Sequence, residues 1–243
     1  MNTYGLIGKN ISYSFSENYF SEKFKRESIS NTVYKNFDLQ DISEFSQLLQ
    51  NTTLKGLNVT IPYKELIIPF LDQLSPEAEK IKAVNVIKFD DGKLIGHNSD
   101  IYGFEQSFKE KLKPHHQKAL ILGTGGASKA IQYALQKNNI AFQIVSRKSS
   151  LETITYNQLT QELLSEYLVI INCTPLGTFP KIDQKPSIPY QFLTNHHYLY
   201  DLVYNPTETL FMKEGLKRNA SVKNGLKMLE LQAEKAWEIW HSK

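Results

Sequence analysis

The chain has 243 residues, 41% of them hydrophobic and 22% charged, the balance of an ordinary globular protein with length for two modest domains. Lys and Arg number 28 against 25 Asp and Glu, a net charge of +3. No segment gathers the basic residues, so nothing points to a nucleic-acid partner. Apolar runs such as Leu168 to Ile171 fall far short of the about 20 residues of a membrane-spanning helix. The opening residues lack the pattern of a secretory leader, and Cys173, alone of its type, has no partner for an intrachain disulfide. A cytoplasmic location without membrane contact is expected.

In chain order, short β-rich apolar runs alternate with stretches at helical period. Thr3 to Gly8 reads as a strand, Ser16 to Glu27 as a helix, Val33 to Asp38 as a strand and Asp41 to Gln50 as a helix. Leu57 to Val59 reads as a short strand, and Pro62 to Phe70 as a helix with proline in its first turn, where a missing N–H costs little. Such βαβα order implies a mostly parallel sheet covered by helices. Ala83 to Phe89 and Lys93 to Gly96 flank Asp90-Asp91-Gly92, a hairpin signal that breaks the rhythm. Residues 99 to 112 read as a helix with Ser99 as cap, followed by a joint at Lys113-Pro114-His115-His116. A second unit then opens with strand Lys118 to Leu122, a glycine turn and a helix to about Lys137. Strands follow at Ile140 to Ser146, Leu168 to Asn172 and Tyr198 to Val203, with a proline-rich loop from Phe179 to Tyr190. The last helix, Leu226 to about Trp240, sets Leu226, Leu229, Ala233, Trp237 and Trp240 on one stripe. These signals describe two α/β units joined near residue 113.

The glycine turn, Gly123-Thr124-Gly125-Gly126-Ala127-Ser128, lies between a strand and a helix. Gly123 permits a tight turn, Gly125 lets the backbone approach a pyrophosphate, and Gly126 and Ala127 let the helix sit close to the strand. The helix start offers free N–H groups and partial positive charge to phosphate. Glycine turns also occur merely to make room for packing. The next strand ends Ser146-Arg147-Lys148, without the acid that takes the ribose hydroxyls of NAD. Two cations there attract a 2′-phosphate and favour NADP, unless they are only solvated charges at a strand end.

In the first unit, polar residues follow the strands, where open α/β sheets bind ligands. Ser14 and Ser16 place two hydroxyls two residues apart, able to donate to one carboxylate, although Ser16 also fits a helix cap. Lys64 falls in the first turn of a helix, against the helix dipole. Asn85 interrupts the apolar run 83–87 and must find partners, structural or ligand. Asp100 stands at a helix start, where an acid is favourable in any case.

Taken together, these strings resemble the shikimate dehydrogenase family over nearly the whole chain. They are the S-x-S of Ser14 and Ser16, NVTIPYKE (58–65), AVN (83–85), GHNSD (96–100), GTGGASKA (123–130), INCTPLG (171–177), YDLVYNPTET (200–209) and NGLKMLELQAEKAWEIW (224–240). The resemblance implies an α/β fold of two domains. A substrate domain would span 1–100 and be rejoined by the helix 226–243, and a Rossmann-like NADP domain would span 101–225, with the active site in a cleft between them. The implied reaction is the reversible NADPH-dependent reduction of 3-dehydroshikimate to shikimate, on the route to chorismate and the aromatic amino acids. Lys64 and Asp100 would be the catalytic pair. Ser14 and Ser16 would hold the substrate carboxylate, Thr60, Asn85 and Asp100 the ring hydroxyls, and Tyr204 and Gln232 would complete the pocket. Gly123, Thr124, Gly125, Gly126, Ala127, Ser146, Arg147, Lys148, Leu202 and Gly225 would line the NADP site. The expected partners are small molecules, and the expected state is a monomer or homodimer. No metal is expected, since the histidines lack metal-ligand spacing. His115-His116 and His196-His197 read as solvated loop residues.

The chain departs from the family pattern at Asn10, where proline is common, and at Tyr13, where histidine is common. It also departs at Ser146, where asparagine often precedes the arginine, and at Pro76, where an acid can contact the cofactor. A quinate/shikimate dehydrogenase is the nearest alternative, but such relatives tend to carry an acid after the second strand and threonine in S-x-S. A methylene-tetrahydrofolate type of dehydrogenase is disfavoured by S-x-S and Gln232. A non-catalytic NADP-binding regulator on the same fold is disfavoured by Lys64 and Asp100.

Overall fold

In chain order the elements are β1 (Asn2–Gly8), α1 (Phe15–Arg26), β2 (Thr32–Asp38), α2 (Phe45–Leu48), β3 (Leu54–Val59), α3 (Tyr63–Leu66), β4 (Gln73–Leu74), α4 (Pro76–Ile81), β5 (Val86–Asp90), β6 (Lys93–His97), α5 (Asp100–Lys109), β7 (Lys118–Leu122), α6 (Gly126–Lys137), β8 (Ala141–Ser146), β9 (Thr153–Thr155), α7 (Gln161–Glu166), β10 (Val169–Asn172), β11 (Tyr198–Asp201), α8 (Leu210–Leu216), β12 (Ser221–Lys223) and α9 (Leu226–His241). This computed structural model describes residues 1–11 and 14–242. Tyr13 and Lys243 lie outside the described residues. The chain divides into two compact units, residues 1–102 with 230–243, and residues 103–229. No helix among the described residues is long and apolar enough to cross a membrane.

The first unit holds a six-stranded sheet in the order β2-β1-β3-β5-β6-β4. β1 pairs in parallel with β2 and β3, whereas β5 runs antiparallel to β3 and β6. One reversed strand thus interrupts a mostly parallel sheet. The hairpin signal accounts for it, since Asp91 and Gly92 both take positive φ (45° and 77°), as a two-residue type I′ turn requires. Reversal has a consequence for the site: the start of β5 lies at the same edge of the sheet as the ends of β1, β3 and β6. Alternate side chains feed two cores. Ile7, Leu57 and Ile87 pack with Phe45, Tyr63 and Ile67 on one face. Leu6, Tyr34 and Val86 pack with Phe20, Ala236 and Trp240 on the other. Gly56 has no side chain because the indole of Trp240 lies against it.

The second unit holds a six-stranded, all-parallel sheet in the order β12-β11-β10-β7-β8-β9. Numbered from β7, this is the 3-2-1-4-5-6 order of the dinucleotide-binding fold, with its switch point between β7 and β10. Leu120, Leu122, Ile170 and Leu199 pack against Leu164, Phe211 and Met212 on one face. On the other, Phe108 stacks on Tyr198 with centroids 5.2 Å apart, and Phe104 meets Tyr200 edge-on at 5.1 Å.

Several expectations need correction. The helix read over residues 41–50 is a 3-10 turn (Ile42–Glu44) running into the single turn of α2, with Asp41 as its cap. The helix read over 62–70 is one α turn and a separate 3-10 turn (Ile68–Phe70), because Pro69 supplies no N–H. The cap of α1 is Ser14 rather than Ser16, its oxygen accepting from Glu17 N. At α5 the accepting side chain is Asn98, which takes Ile101 N at 3.3 Å. Short elements such as α4, β9, α7, α8 and β12 had too few residues to show a period.

Two of the histidines are buried, not solvated. His116 and His197 are 3% and 1% exposed, and each closes a four-residue turn. His116 Nδ1 accepts Lys113 N at 3.0 Å while its Nε2 meets His196 O at 2.9 Å. His197 Nδ1 accepts Thr194 N at 3.0 Å while its Nε2 meets Leu164 O at 3.0 Å. Accepting at Nδ1 fixes the Nε2–H tautomer, so each ring is neutral and spends both nitrogens on backbone. Burial holds both rings below the ordinary histidine value of 6.5. A lowered folded value means that the unfolded chain takes up protons first. The stability each ring contributes is therefore complete above pH 6.5 and is lost as pH falls below it. We expect the Tm advantage of the unmodified protein over His197→Gln to shrink between pH 7.5 and 5, and a constant difference would contradict this.

Candidate active site

At the carboxyl edge of the first sheet, Lys64 Nζ donates to Asp100 Oδ2 at 2.5 Å, with the two side chains 14% and 3% exposed. Lys64 rides on the single turn of α3, too short to hold itself. Tyr63 and Ile67 anchor that turn in the core, and the Tyr63 hydroxyl donates to Leu39 O at 2.7 Å. Lys64 O accepts Val84 N at 2.8 Å, which ties the turn to the segment leading into β5. Asp100 is the first residue of α5. A lysine set against a helix dipole thus finds its compensation in a carboxylate 36 residues away.

Asn85, 4% exposed, accepts Ser99 N at 2.7 Å and donates to Ser99 Oγ at 3.2 Å. Its amide oxygen therefore fixes the residue next to Asp100. Thr60, half-buried, follows β3, where its N–H donates to Ile7 O at 2.8 Å. Ser14 donates to Asn36 Oδ1 at 2.7 Å, and Asn36 Nδ2 donates to Glu17 Oε2 at 2.6 Å. The Ser16 hydroxyl bonds to that of Tyr34, whose pKa burial pushes up. Tyr34 in turn donates to Asn58 Oδ1 at 2.9 Å, and Asn58 Nδ2 donates to Asn85 O at 3.1 Å. One polar chain, Ser16–Tyr34–Asn58–Asn85–Ser99, thus runs beneath the edge. Tyr34, Asn36 and Asn58 received no role from the sequence and Ser99 only that of a helix cap; an Asn in strand β3, otherwise fit for burial, was the one available signal. Gln232 is half-buried on α9 within the same unit.

In the second unit, Gly123 takes φ +104°, a conformation open to glycine, and its N–H donates to Val145 O at 2.9 Å. A Cβ there would lie 3.1 Å from Thr174 Cγ2, whereas one at Gly125 would meet nothing within 4 Å. Gly125 occupies the cap position of α6 and brings no capping side chain, so the helix start is left to a ligand. Thr124 is exposed, Gly126 and Ala127 half-buried. Ser146 is half-buried at the end of β8, and Arg147 and Lys148 just beyond it are exposed. Leu202 N donates to Asn172 O at 3.0 Å, and Gly225 lies so close to the Leu202 carbonyl that a Cβ would strike it. Tyr204 is 37% exposed. Open space before a helix start, a glycine at positive φ and cations beyond the second strand suit a phosphorylated dinucleotide such as NADP. Among the described residues, no group of three or more His, Cys, Asp or Glu side chains is arranged to hold a metal ion.

A sheet of dinucleotide-binding order in one unit and a nearly enclosed Lys–Asp pair in the other are the parts a pyridine-nucleotide oxidoreductase needs. Residues 6–87 match the family model of the shikimate dehydrogenase substrate binding domain. An NADP(+) shikimate dehydrogenase of Clostridium beijerinckii is 38% identical over 99% of this chain and 92% of its own. Among solved structures, a shikimate dehydrogenase in complex with NADP+ superimposes with a TM-score of 0.87 at 31% identity, covering 99% of this chain and 90% of that one. The enzyme of Thermus thermophilus, in complex with NADP(H) and shikimate, gives 0.88 at 26% identity, covering 99% and 94%. The chain belongs to the shikimate dehydrogenase family, the NADP-dependent oxidoreductases that interconvert 3-dehydroshikimate and shikimate.

Gly225→Ala drives a methyl into backbone, which cannot rotate away. We expect a loss of about 1–3 kcal/mol in unfolding free energy, read as a lower Tm; a Tm unchanged within error would contradict the close approach.

Proposed function

We propose that this chain reduces 3-dehydroshikimate to shikimate with NADPH, reversibly, in the route to chorismate and the aromatic amino acids. We place it in the cytoplasm, acting as a monomer or homodimer on small molecules. The buried Lys64–Asp100 pair carries the proposal, because ketone reduction needs a proton donor at the oxygen that gains charge. Bound NADPH supplies the hydride. Lys64 Nζ supplies the proton to the ring oxygen and is left as an amine, which regains a proton from solvent. Asp100 holds Nζ in place and accepts from the neighbouring ring hydroxyl.

Ser14 and Ser16 take the substrate carboxylate, each hydroxyl turning its proton from its present partner to the incoming oxygen. Thr60 and Asn85 take ring hydroxyls, and Tyr204 and Gln232 are assigned further contacts to the substrate. NADP is assigned to Gly123, Thr124, Gly125, Gly126, Ala127, Ser146, Leu202 and Gly225, with Arg147 and Lys148 drawing the 2′-phosphate. The residues of the first unit acquire these roles from their place at one sheet edge together with the family membership.

Turnover is tested with shikimate and with quinate, each with NADP and with NAD. We expect the shikimate–NADP pair to be fastest and Lys64→Ala to lose about 10²- to 10⁴-fold in kcat while still binding NADPH. No reduction of NADP by the unmodified protein would contradict the function, and unchanged kcat in Lys64→Ala would remove the proton donor.

A further inference from the structure

Beneath the loops of the second unit lies a carboxylate that the reaction does not use. Asp201, the last residue of β11, is fully buried. Its Oδ1 accepts from Asn172 Nδ2 at 2.9 Å and from Val203 N at 3.0 Å, and its Oδ2 accepts from Thr209 Oγ1 at 2.6 Å. Those three donors belong to three different segments. Asn172 ends β10, Val203 lies in the loop after β11, and Thr209 caps α8 by accepting Met212 N at 3.3 Å. Asn172 passes the connection onward, since its Oδ1 accepts Thr174 N at 3.0 Å and Thr174 Oγ1 at 2.6 Å. The Thr174 methyl lies against the Gly123 turn, and Leu202 N bonds to Asn172 O. The ends of β10 and β11 and the cap of α8 thus meet on one carboxylate, and the turn after β7 touches this group through the Thr174 methyl.

We infer that Asp201 is a positioning residue for the dinucleotide: its carboxylate straps the loops after β10 and β11 together and so holds Thr174, Leu202 and the Gly123 turn in the arrangement that binds NADP. The inference rests on the assignment of NADP to this unit. The ionised form suits the role, because all three neighbours donate and a carboxylate only accepts. Protonation would turn one oxygen into a donor that only the Thr209 hydroxyl could receive, and that hydroxyl would then give up its own donation to the carboxylate, which would loosen the strap.

Burial pushes the Asp201 carboxyl up to about 6. The titratable groups acting around it are the Cys173 thiol in the loop after β10 and the Tyr190 phenol, both held neutral by burial. No cation contributes to its shift. The strap is therefore intact at pH 7.5 and weakened below about pH 6. The 2′-phosphate of NADP also titrates near 6, so the contribution of Asp201 is read as the difference between the unmodified protein and Asp201→Asn. Asparagine keeps the shape and one acceptor but cannot ionise.

NADPH fluorescence gives its Kd for each protein between pH 5 and 8. Shikimate affinity is read separately from tryptophan emission, since Trp237 and Trp240 are the only two tryptophans and both belong to the first unit. We expect Asp201→Asn to raise the Kd for NADPH about tenfold at pH 7.5, the scale of a hydrogen bond to a charged group. Its Kd should also vary less with pH than that of the unmodified protein, and shikimate affinity should be unchanged. Kd values within twofold at every pH would overturn the inference, as would an equal loss of affinity for both ligands, the mark of general loosening. Should Asp201→Asn fail to fold, Thr174→Val leaves the carboxylate in place and removes the hydroxyl that donates to Asn172 Oδ1 and accepts Leu176 N. About a threefold loss of NADPH affinity would then support the strap and an unchanged affinity would overturn it. Failure of the unmodified protein to bind NADPH would overturn the cofactor assignment together with this inference, whereas binding that the variants reproduce overturns only the strap.

Discussion

Two charged groups cannot leave water unless each supplies what water supplied, and the first unit is organised around that requirement. Lys64 and Asp100 are nearly enclosed and meet at 2.5 Å. Removing one partner of such a pair strands the other, at a cost of about 3–5 kcal/mol, so each holds the other in the folded protein. Their meeting depends on elements that are weak alone. A single helical turn carries the lysine, a tyrosine and an isoleucine pin that turn, and Asn85 fixes Ser99 beside the aspartate. The reversal of β5 makes this possible, because it brings Asn85 to the edge where β3 and β6 end. Sheet topology thus gathers the polar groups: β1, β3 and β6 end at one edge, and the reversed β5 begins there.

The second unit shows how the same physics serves binding. Glycine at 123 and 125 replaces side chains with backbone and open space, and the helix start that follows has no capping side chain. Below it, polar groups are fully spent on one another. His116 and His197 use both ring nitrogens on backbone, and Asp201 uses both oxygens on three donors. The two kinds of group respond to pH in opposite directions. The lowered histidines contribute stability that falls on acidification below 6.5. Asp201, raised from 3.8 to about 6, binds its proton more tightly folded than unfolded, so its contribution is fullest below 3.8 and declines as pH rises through 6.

Much of this was legible in the residues. The alternation of strands and helices, the Asp91-Gly92 hairpin and the strand–glycine–helix passage at 118–137 are local signals, and each appears where its chemistry places it. Lys64 was legible as an oddity, a cation at a helix start, whereas Asp100 stood at a helix start where an acid is ordinary. Their contact was not legible, because no pattern along the chain encodes a distance across 36 residues. Burial was misread at His116 and His197 for a related reason. A histidine dipeptide beside proline or asparagine has the composition of a surface turn, and only the backbone N–H groups folded onto Nδ1 show that the rings are enclosed. Asn58, Asn172 and Asp201 lay within strings that marked the family and Tyr34 lay outside them, yet a buried polar residue in a strand announces only that it has a partner, not which one.

The account's central claim is that an ammonium at position 64 delivers the proton to the ketone oxygen. Chemical rescue tests it most directly: Lys64→Ala is assayed with 3-dehydroshikimate and NADPH while small primary amines of graded pKa are added. Turnover that returns with added amine, in proportion to the amine's concentration and with a dependence on its pKa, is the predicted result. Turnover that no amine restores, in a variant that still binds both ligands, would contradict the claim.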